Sequence, residues 1–337
     1  MSELKLGLAQ GYWGAAPNPN FVEMAQEAER LGFDSVWSAE AWGNDAFTPL
    51  CWIGAQTEKI KLGTAVVQLS ARTPTSCAMH ALSLDYLSNG RFQLGLGVSG
   101  PQVVEGWYGR PFPKPLARTR EYIDIIRQVF AREAPVTNSG PHYPLPYPGD
   151  DGMGLGKPLR PITHPLRNHI PIYLGAEGPK NIALATEIAD GWLPLFYNPY
   201  DESVYSQSLS GMKSDFEIAQ MVSVNITDDV EAALLQVKYF ISFYIGGMGA
   251  KSANFHKDLF VRLGYEAEAE KIQQLFMEDK RDEAARVLPD ELADAMALVG
   301  PRDRIRDRLQ AWRDSKVTTM LVAATDKETL QSISEVF

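Results

Sequence analysis

Cysteine is scarce. Cys51 and Cys77 are the only two in 337 residues, and they lie far apart with no histidine cluster beside either. That excludes a disulfide framework and a cysteine-built zinc site, and it predicts two free thiols packed in the core. The five histidines do not pair at ligand spacing. No segment has the roughly 18 uninterrupted apolar residues of a membrane span, and the first residues lack the basic start and apolar run of a signal peptide. The chain is therefore expected in the cytoplasm, without a membrane partner. Basic excess is missing too: a net charge of -10 and a pI near 5.1 argue against nucleic acid. No Gly-x-Gly-x-x-Gly follows the first strand, and neither a P-loop nor a Gly-x-Ser-x-Gly elbow occurs, which removes the common dinucleotide, nucleotide and hydrolase signatures.

What is present is an ordinary globular composition, 45% hydrophobic and 22% charged, carried by a repeating rhythm. Apolar strands are predicted at Lys5–Gln10, Asp34–Ser38, Lys61–Val67, Arg91–Gly97, Pro171–Gly175, Gly191–Leu195, Glu217–Ile226 and Thr318–Ala323. Helical periodicity lies between them, for example over Asn20–Leu31, Thr75–Leu87, Arg118–Phe130 and Asp229–Tyr244. Eight strand-helix units favour an α/β fold closed as a (β/α)8 barrel over an open doubly wound sheet. The expectation is one barrel domain over 1–337 with two interruptions. The first is a Pro/Gly-rich loop at about 134–168, expected to cover the active site, and the second a helical insertion at about 246–309.

In such a barrel ligands bind where strands end, so the residues just past each strand are the candidates. The second strand leads into Ala39, Glu40 and Trp42, the third into Thr64, Ala65 and Val66, the fourth into Val98, Ser99 and Gly100. The fifth leads into Gly175, Ala176, Gly178, Pro179, Lys180 and Asn181, where free N–H groups at a helix start suit a phosphate, although a plain helix start reads the same way. Ser99 has no base in sequence reach, so a hydrogen bond to a ligand is preferred to nucleophilic catalysis. Gln10, Tyr12 and Trp13 after the first strand, and Tyr197 and Asn198 after the sixth, are further candidates for a pocket wall.

The strings Ser38–Asp45, Leu62–Val66, Leu94–Gly109 and Tyr173–Pro179 together resemble the luciferase-like superfamily. Ser99–Trp107, Tyr244–Gly249 and Ala297–Pro301 are similar to its actinobacterial branch of coenzyme F420-dependent oxidoreductases, related to methylenetetrahydromethanopterin reductase. The resemblance implies a (β/α)8 barrel with insertions, a homodimer, and coenzyme F420 (alternatively FMN) at the strand ends, with a small organic molecule as substrate. It implies a non-prolyl cis peptide at Ala65-Val66 against one face of the deazaflavin ring. Val98, Ser99 and Gly100 would line the ring or its ribityl chain, and Gly175, Ala176, Gly178, Pro179, Lys180 and Asn181 would meet the ribityl chain and phosphate. Related sugar-phosphate dehydrogenases carry an Asp-His pair where this chain has Ala39-Glu40. Glu40 is then either a proton donor, its pKa raised by burial, or a carboxylate that fixes a loop. Trp42 offers an aromatic face to ring or substrate, or packs in the core. The activity implied is hydride transfer; the alternatives are an FMN-dependent monooxygenase and an F420-binding protein without turnover.

Overall fold

Successive side chains of a strand point to opposite faces, so in a closed parallel sheet every second residue fills the lumen and the others meet the surrounding helices. The outward residues here are large and aliphatic, such as Leu62, Leu94, Leu96, Ile172, Leu174 and Val322, and all lie in the main core. A computed structural model describes residues 3–249 and 254–337. Its strands are β1 (Lys5–Gly11), β2 (Ser35–Ser38), β3 (Lys61–Thr64), β4 (Val67–Gln68), β5 (Phe92–Gly97), β6 (Ile172–Gly175), β7 (Gly191–Leu193), β8 (Glu217–Ile226), β9 (Ala297–Gly300) and β10 (Thr319–Val322).

All strand pairings are parallel, and β10 pairs with both β1 and β8, which closes the sheet. β3 and β4 are two halves of one stave, interrupted at Ala65-Val66: β3 pairs with β2 and the start of β5, β4 with the end of β5. The closed sheet is thus the eight-stave barrel expected from the rhythm. β9 is no stave; it pairs with Ser223–Ile226, the overhang of β8 beyond the barrel. Helices start where local chemistry supplies a cap: Thr73 accepts from Ser76 N–H ahead of Pro74, and Asp326 accepts from Thr329 N–H.

The lumen is plugged by two aromatic rings. Trp37 and Tyr173 meet edge to face, centroids 5.3 Å apart, in a separate small cluster with Leu193, Ala219 and Leu321. Both rings fit because the strands opposite carry glycine: a Cβ on Gly63 would intrude into the Trp37 ring, and one on Gly191 into the Tyr173 ring. Below the plug, the Tyr173 hydroxyl donates to Glu217, which also pairs with Lys5 at 2.7 Å. A cavity of about 300 Å³ opens at this N-terminal end, between Lys61, Gln93, Arg167 and Glu217, on the side away from the strand C-termini.

Two segments interrupt the strand-helix rhythm. The Pro/Gly-rich excursion leaves and rejoins the barrel at its N-terminal end, where Arg167 binds Asp85 and the Phe92 carbonyl at the start of β5. It climbs as an antiparallel hairpin, Val136 against Leu159 and Asn138 against Leu145, tied by Glu121 to the helix Pro115–Ala131. Its Tyr143 shares a small cavity with Val98, at the end of β5. The helix Val230–Gly247, expected to return to the barrel, packs on Glu266–Met277, Arg281–Val287 and Asp290–Ala295 and belongs to the insertion. Arg302–Asp314 is the helix that leads back, into β10. Residues 250–253 of the insertion lie outside the described residues. Among the described residues no helix is long and apolar enough to cross a membrane.

Gly63→Ala is expected to lower stability by about 1–3 kcal/mol, the cost of overpacking a filled core. Urea unfolding measures it; an unchanged midpoint would mean the plug has slack.

Candidate active site

Above the plug, the lumen residues are small. Ala39, Gly97 and Gly175 stand at the ends of β2, β5 and β6, and the Val66 side chain lies across Gly97 and Gly175. The Ala65-Val66 peptide is cis, as the resemblance implies. It is held from both sides. Ala65 N–H donates to the Ser38 carbonyl at 2.7 Å and Glu40 N–H to the Val66 carbonyl at 3.4 Å. The Thr64 hydroxyl donates to the Gly95 carbonyl and accepts from Gly95 N–H, each at 2.8 Å. The result is a low floor at the mouth, formed by Ala65 and Val66.

Glu40 is buried and its carboxylate is fully engaged. It accepts from Gln68 N–H at 2.8 Å and Ala46 N–H at 3.3 Å, and both oxygens accept from Arg72 Nη1 at 3.0 and 2.9 Å. Arg72 also lies over the Phe47 ring and 3.8 Å from Asp45. Nothing in the sequence marks Arg72, which is 32 positions from its partner. Of the two roles open to Glu40, these contacts match the loop-fixing carboxylate: they tie the β2 end to the β4 start and to the following helix. Trp42 is 55% exposed and packs in no core.

At the end of β5 the chain turns at Ser99, which adopts φ +60°, into the short helix Pro101–Gly106 capped by Gly100. Glu105 accepts from Phe112 N–H at 3.3 Å and so supports its own loop, while Trp107 is exposed. At the end of β6, Gly178 caps the helix Pro179–Ile188, its carbonyl accepting from Asn181 and Ile182 N–H. Lys180 is exposed, and the Asn181 side-chain oxygen is buried without a partner. The buried Ala176 carbonyl accepts from Trp192 Nε1 at 2.8 Å. Two residues missed from the sequence stand beside this turn. Glu177 accepts from Leu195 N–H at 3.0 Å, and His256, on the insertion helix Phe255–Arg262, approaches it to 3.9 Å.

Several wall candidates are placed elsewhere. Gln10 donates to the Phe21 carbonyl at 2.7 Å, fixing the first helix, and Trp13 N–H donates to Asn44. Tyr197 is fully buried, stacked on Tyr205 at 5.0 Å and donating to Glu202, and Asn198 accepts from Tyr200 N–H in a turn. Tyr12 remains half exposed at the mouth. Cys77 is buried, its thiol pushed up to about 12 by desolvation, whereas Cys51 is exposed rather than in the core. Among the described residues no cluster of His, Cys, Asp or Glu could hold a metal ion.

Residues 7–319 match the family model described as luciferase-like monooxygenase. A Mycobacterium tuberculosis protein provisionally named coenzyme F420-dependent oxidoreductase Rv3520c is 55% identical, over 98% of each chain. The 5,10-methylenetetrahydromethanopterin reductase of Archaeoglobus fulgidus is 26% identical, over 90% of this chain and 88% of its own. Among solved structures, the F420-dependent tetrahydromethanopterin reductase of Methanopyrus kandleri superposes with a TM-score of 0.79 at 22% identity, over 99% and 98% of the two chains.

Arg72→Met leaves Glu40 buried without its cation and is expected to cost about 3–5 kcal/mol. Urea unfolding measures it, and a loss below about 1 kcal/mol, the scale of an exposed pair, would show that the pair does not hold this region together.

Proposed function

The chain belongs to the luciferase-like family, and from that premise we propose that it is an oxidoreductase passing a hydride between coenzyme F420 and a small organic substrate. The observation that carries this reading is the floor at Ala65-Val66, bounded by Ala39, Gly97 and Gly175, with a helix starting at Pro179, four residues beyond the end of β6. A planar ring system fits over such small residues, and the orphaned Asn181 oxygen together with free N–H groups at the helix start suits its polar tail. The names of the Mycobacterium and Archaeoglobus relatives support the choice of cofactor.

A deazaflavin has carbon where a flavin has its reactive nitrogen, so when bound it supplies hydride chemistry and disfavours oxygen chemistry. The protein's share is geometric. Ala39, Thr64, Ala65 and Val66 support one face, Val98, Ser99 and Gly100 flank it, and Gly175, Ala176, Gly178, Pro179, Lys180 and Asn181 hold the phosphate-bearing chain. Glu40 acts as a positioning residue through Arg72 and Gln68, keeping the floor in place. Trp42 presents its exposed face to substrate. The family's own description favours the second reading, an FMN-dependent monooxygenase. A purified chain is expected to quench F420 fluorescence saturably and to bind FMN far more weakly. Tight FMN binding without affinity for F420 would overturn the reading, and F420 binding with no turnover on any hydride donor or acceptor would leave a binding protein.

We propose further that the chain is a homodimer in the cytoplasm. Met79, Tyr86 and Leu87 share one exposed face of the helix Pro74–Leu87, with Trp52 exposed on the helix Phe47–Gly54. A second copy would cover this apolar face. Two unpaired thiols are in keeping with a reducing compartment. Sedimentation should give twice the chain mass for the native protein and the chain mass for a Met79→Glu/Leu87→Glu variant; a native monomer rejects the proposal.

A further inference from the structure

Glu177 and His256 are a part-buried titratable pair to which the preceding reading gives no task. Among the described residues the Glu177 carboxyl accepts a single hydrogen bond, from Leu195 N–H. Arg262, the cation beside it, spends its Nη2 on the Glu177 main-chain carbonyl at 2.8 Å rather than on the carboxylate. Opposite Oε1 at 3.9 Å stands His256 Nδ1, an inaccessible atom without a hydrogen-bond partner among the described residues. The imidazole is boxed by the rings of Tyr244 and Phe196, centroids 4.9 and 6.3 Å away. The other titratable groups facing Glu177 are Tyr205, from the helix Ser203–Ser206, and Tyr244, from Val230–Gly247. Lys180, on the same turn, is exposed.

Desolvation dominates at both members. It pushes Glu177 up to about 8 and His256 down to about 4, so near pH 6 both are uncharged. A neutral carboxylic acid has a proton to give, and a neutral imidazole has one nitrogen free to accept it. Glu177 also lies between Gly175 and Gly178, inside the turn offered to the cofactor's phosphate. An ionised carboxylate in so dry a place would repel that anion and oppose the field of the helix start.

We propose that Glu177 is kept as the neutral acid beside an uncharged His256, so that this turn can accept an anionic group, and that anion binding is coupled to keeping that proton. The inference rests on the cofactor reading, which supplies the anion. No bond is made or broken apart from the proton drawn from buffer when the acid would otherwise be ionised. His256 and Arg262, both on the insertion, are the positioning residues of the turn: one faces the acid as an uncharged imidazole, the other holds the main chain.

The sign follows from linkage. Below about pH 8 free Glu177 already carries its proton and binding takes up none; above it, binding must draw one in, and affinity falls by up to about tenfold per pH unit. Isothermal titration of the intact protein with F420, in buffers of different ionisation enthalpy at pH 6 and pH 9, reads this directly. Near-zero proton uptake at pH 6 and close to one proton per cofactor at pH 9 are expected. Glu177→Gln, which keeps the shape and cannot ionise, should bind without uptake at pH 9 and more tightly there than the native chain. F420 binding at both pH values with no uptake at pH 9, or with uptake that persists in Glu177→Gln, overturns the inference while leaving the cofactor reading intact. No binding at either pH overturns the cofactor reading itself. If the variant does not fold, the native chain's carboxylic C=O infrared band at pH 6, lost as the pH rises through about 8, replaces it, and absence of that band overturns the inference.

Discussion

The mouth of this barrel depends on one buried ion pair. Glu40 and Arg72 sit behind the Ala65-Val66 floor, and four contacts from three segments converge on one carboxylate. A buried pair contributes little net stability when set against an apolar replacement, but it is strongly directional and costly to break from one side. That directionality suits its place. The floor is where one stave is cut into β3 and β4, so the ladder there cannot hold the chain by itself. Thr64 ties the cut to β5 and Glu40 ties it to β2, and between them the position of Val66 is set without relying on regular sheet.

The height of that floor is decided lower down. Trp37 and Tyr173 occupy the lumen only because Gly63 and Gly191 face them. Interiors are close-packed, and above the plug that fills the middle the lumen is lined by the small residues Ala39, Gly97 and Gly175. Two glycines and two aromatic rings thus set the depth at which a flat molecule would come to rest, with the part-exposed Lys5–Glu217 pair beneath them.

The staves were legible because each is a short apolar run between helical periods, and alternation survives even in strands of three or four residues. The cut in the third stave was legible only through resemblance, since Thr64-Ala65-Val66 reads as plain strand. β9 escaped because four apolar residues after a helical stretch continue the helical pattern as well as they begin a strand. Helix Val230–Gly247 is apolar enough to pack on a barrel, and nothing in its sequence reveals that three other helices claim its faces instead. Tyr197 looked like a pocket wall because it follows a strand; its ring turns inward to stack on Tyr205, a preference set by a residue eight positions away. In each case the deciding partner is tertiary.

The two mouth carboxylates carry the same lesson into chemistry. Glu40, at the end of β2, is the one that the resemblance offers as a proton donor or a loop-fixing carboxylate, and Glu177, at the end of β6, attracts no notice. Their surroundings set them apart. Glu40 meets an arginine 32 positions on and two N–H groups, the setting of a carboxylate. Glu177 meets one N–H, an arginine turned to its main chain, and a dehydrated imidazole 79 positions on, the setting of an acid. The division of labour between two like groups in one site can be read from what each touches. It gives the insertion a part in the site: by bringing His256 and Arg262 down onto the β6 turn, the insertion makes the charge of that turn depend on a segment outside the barrel.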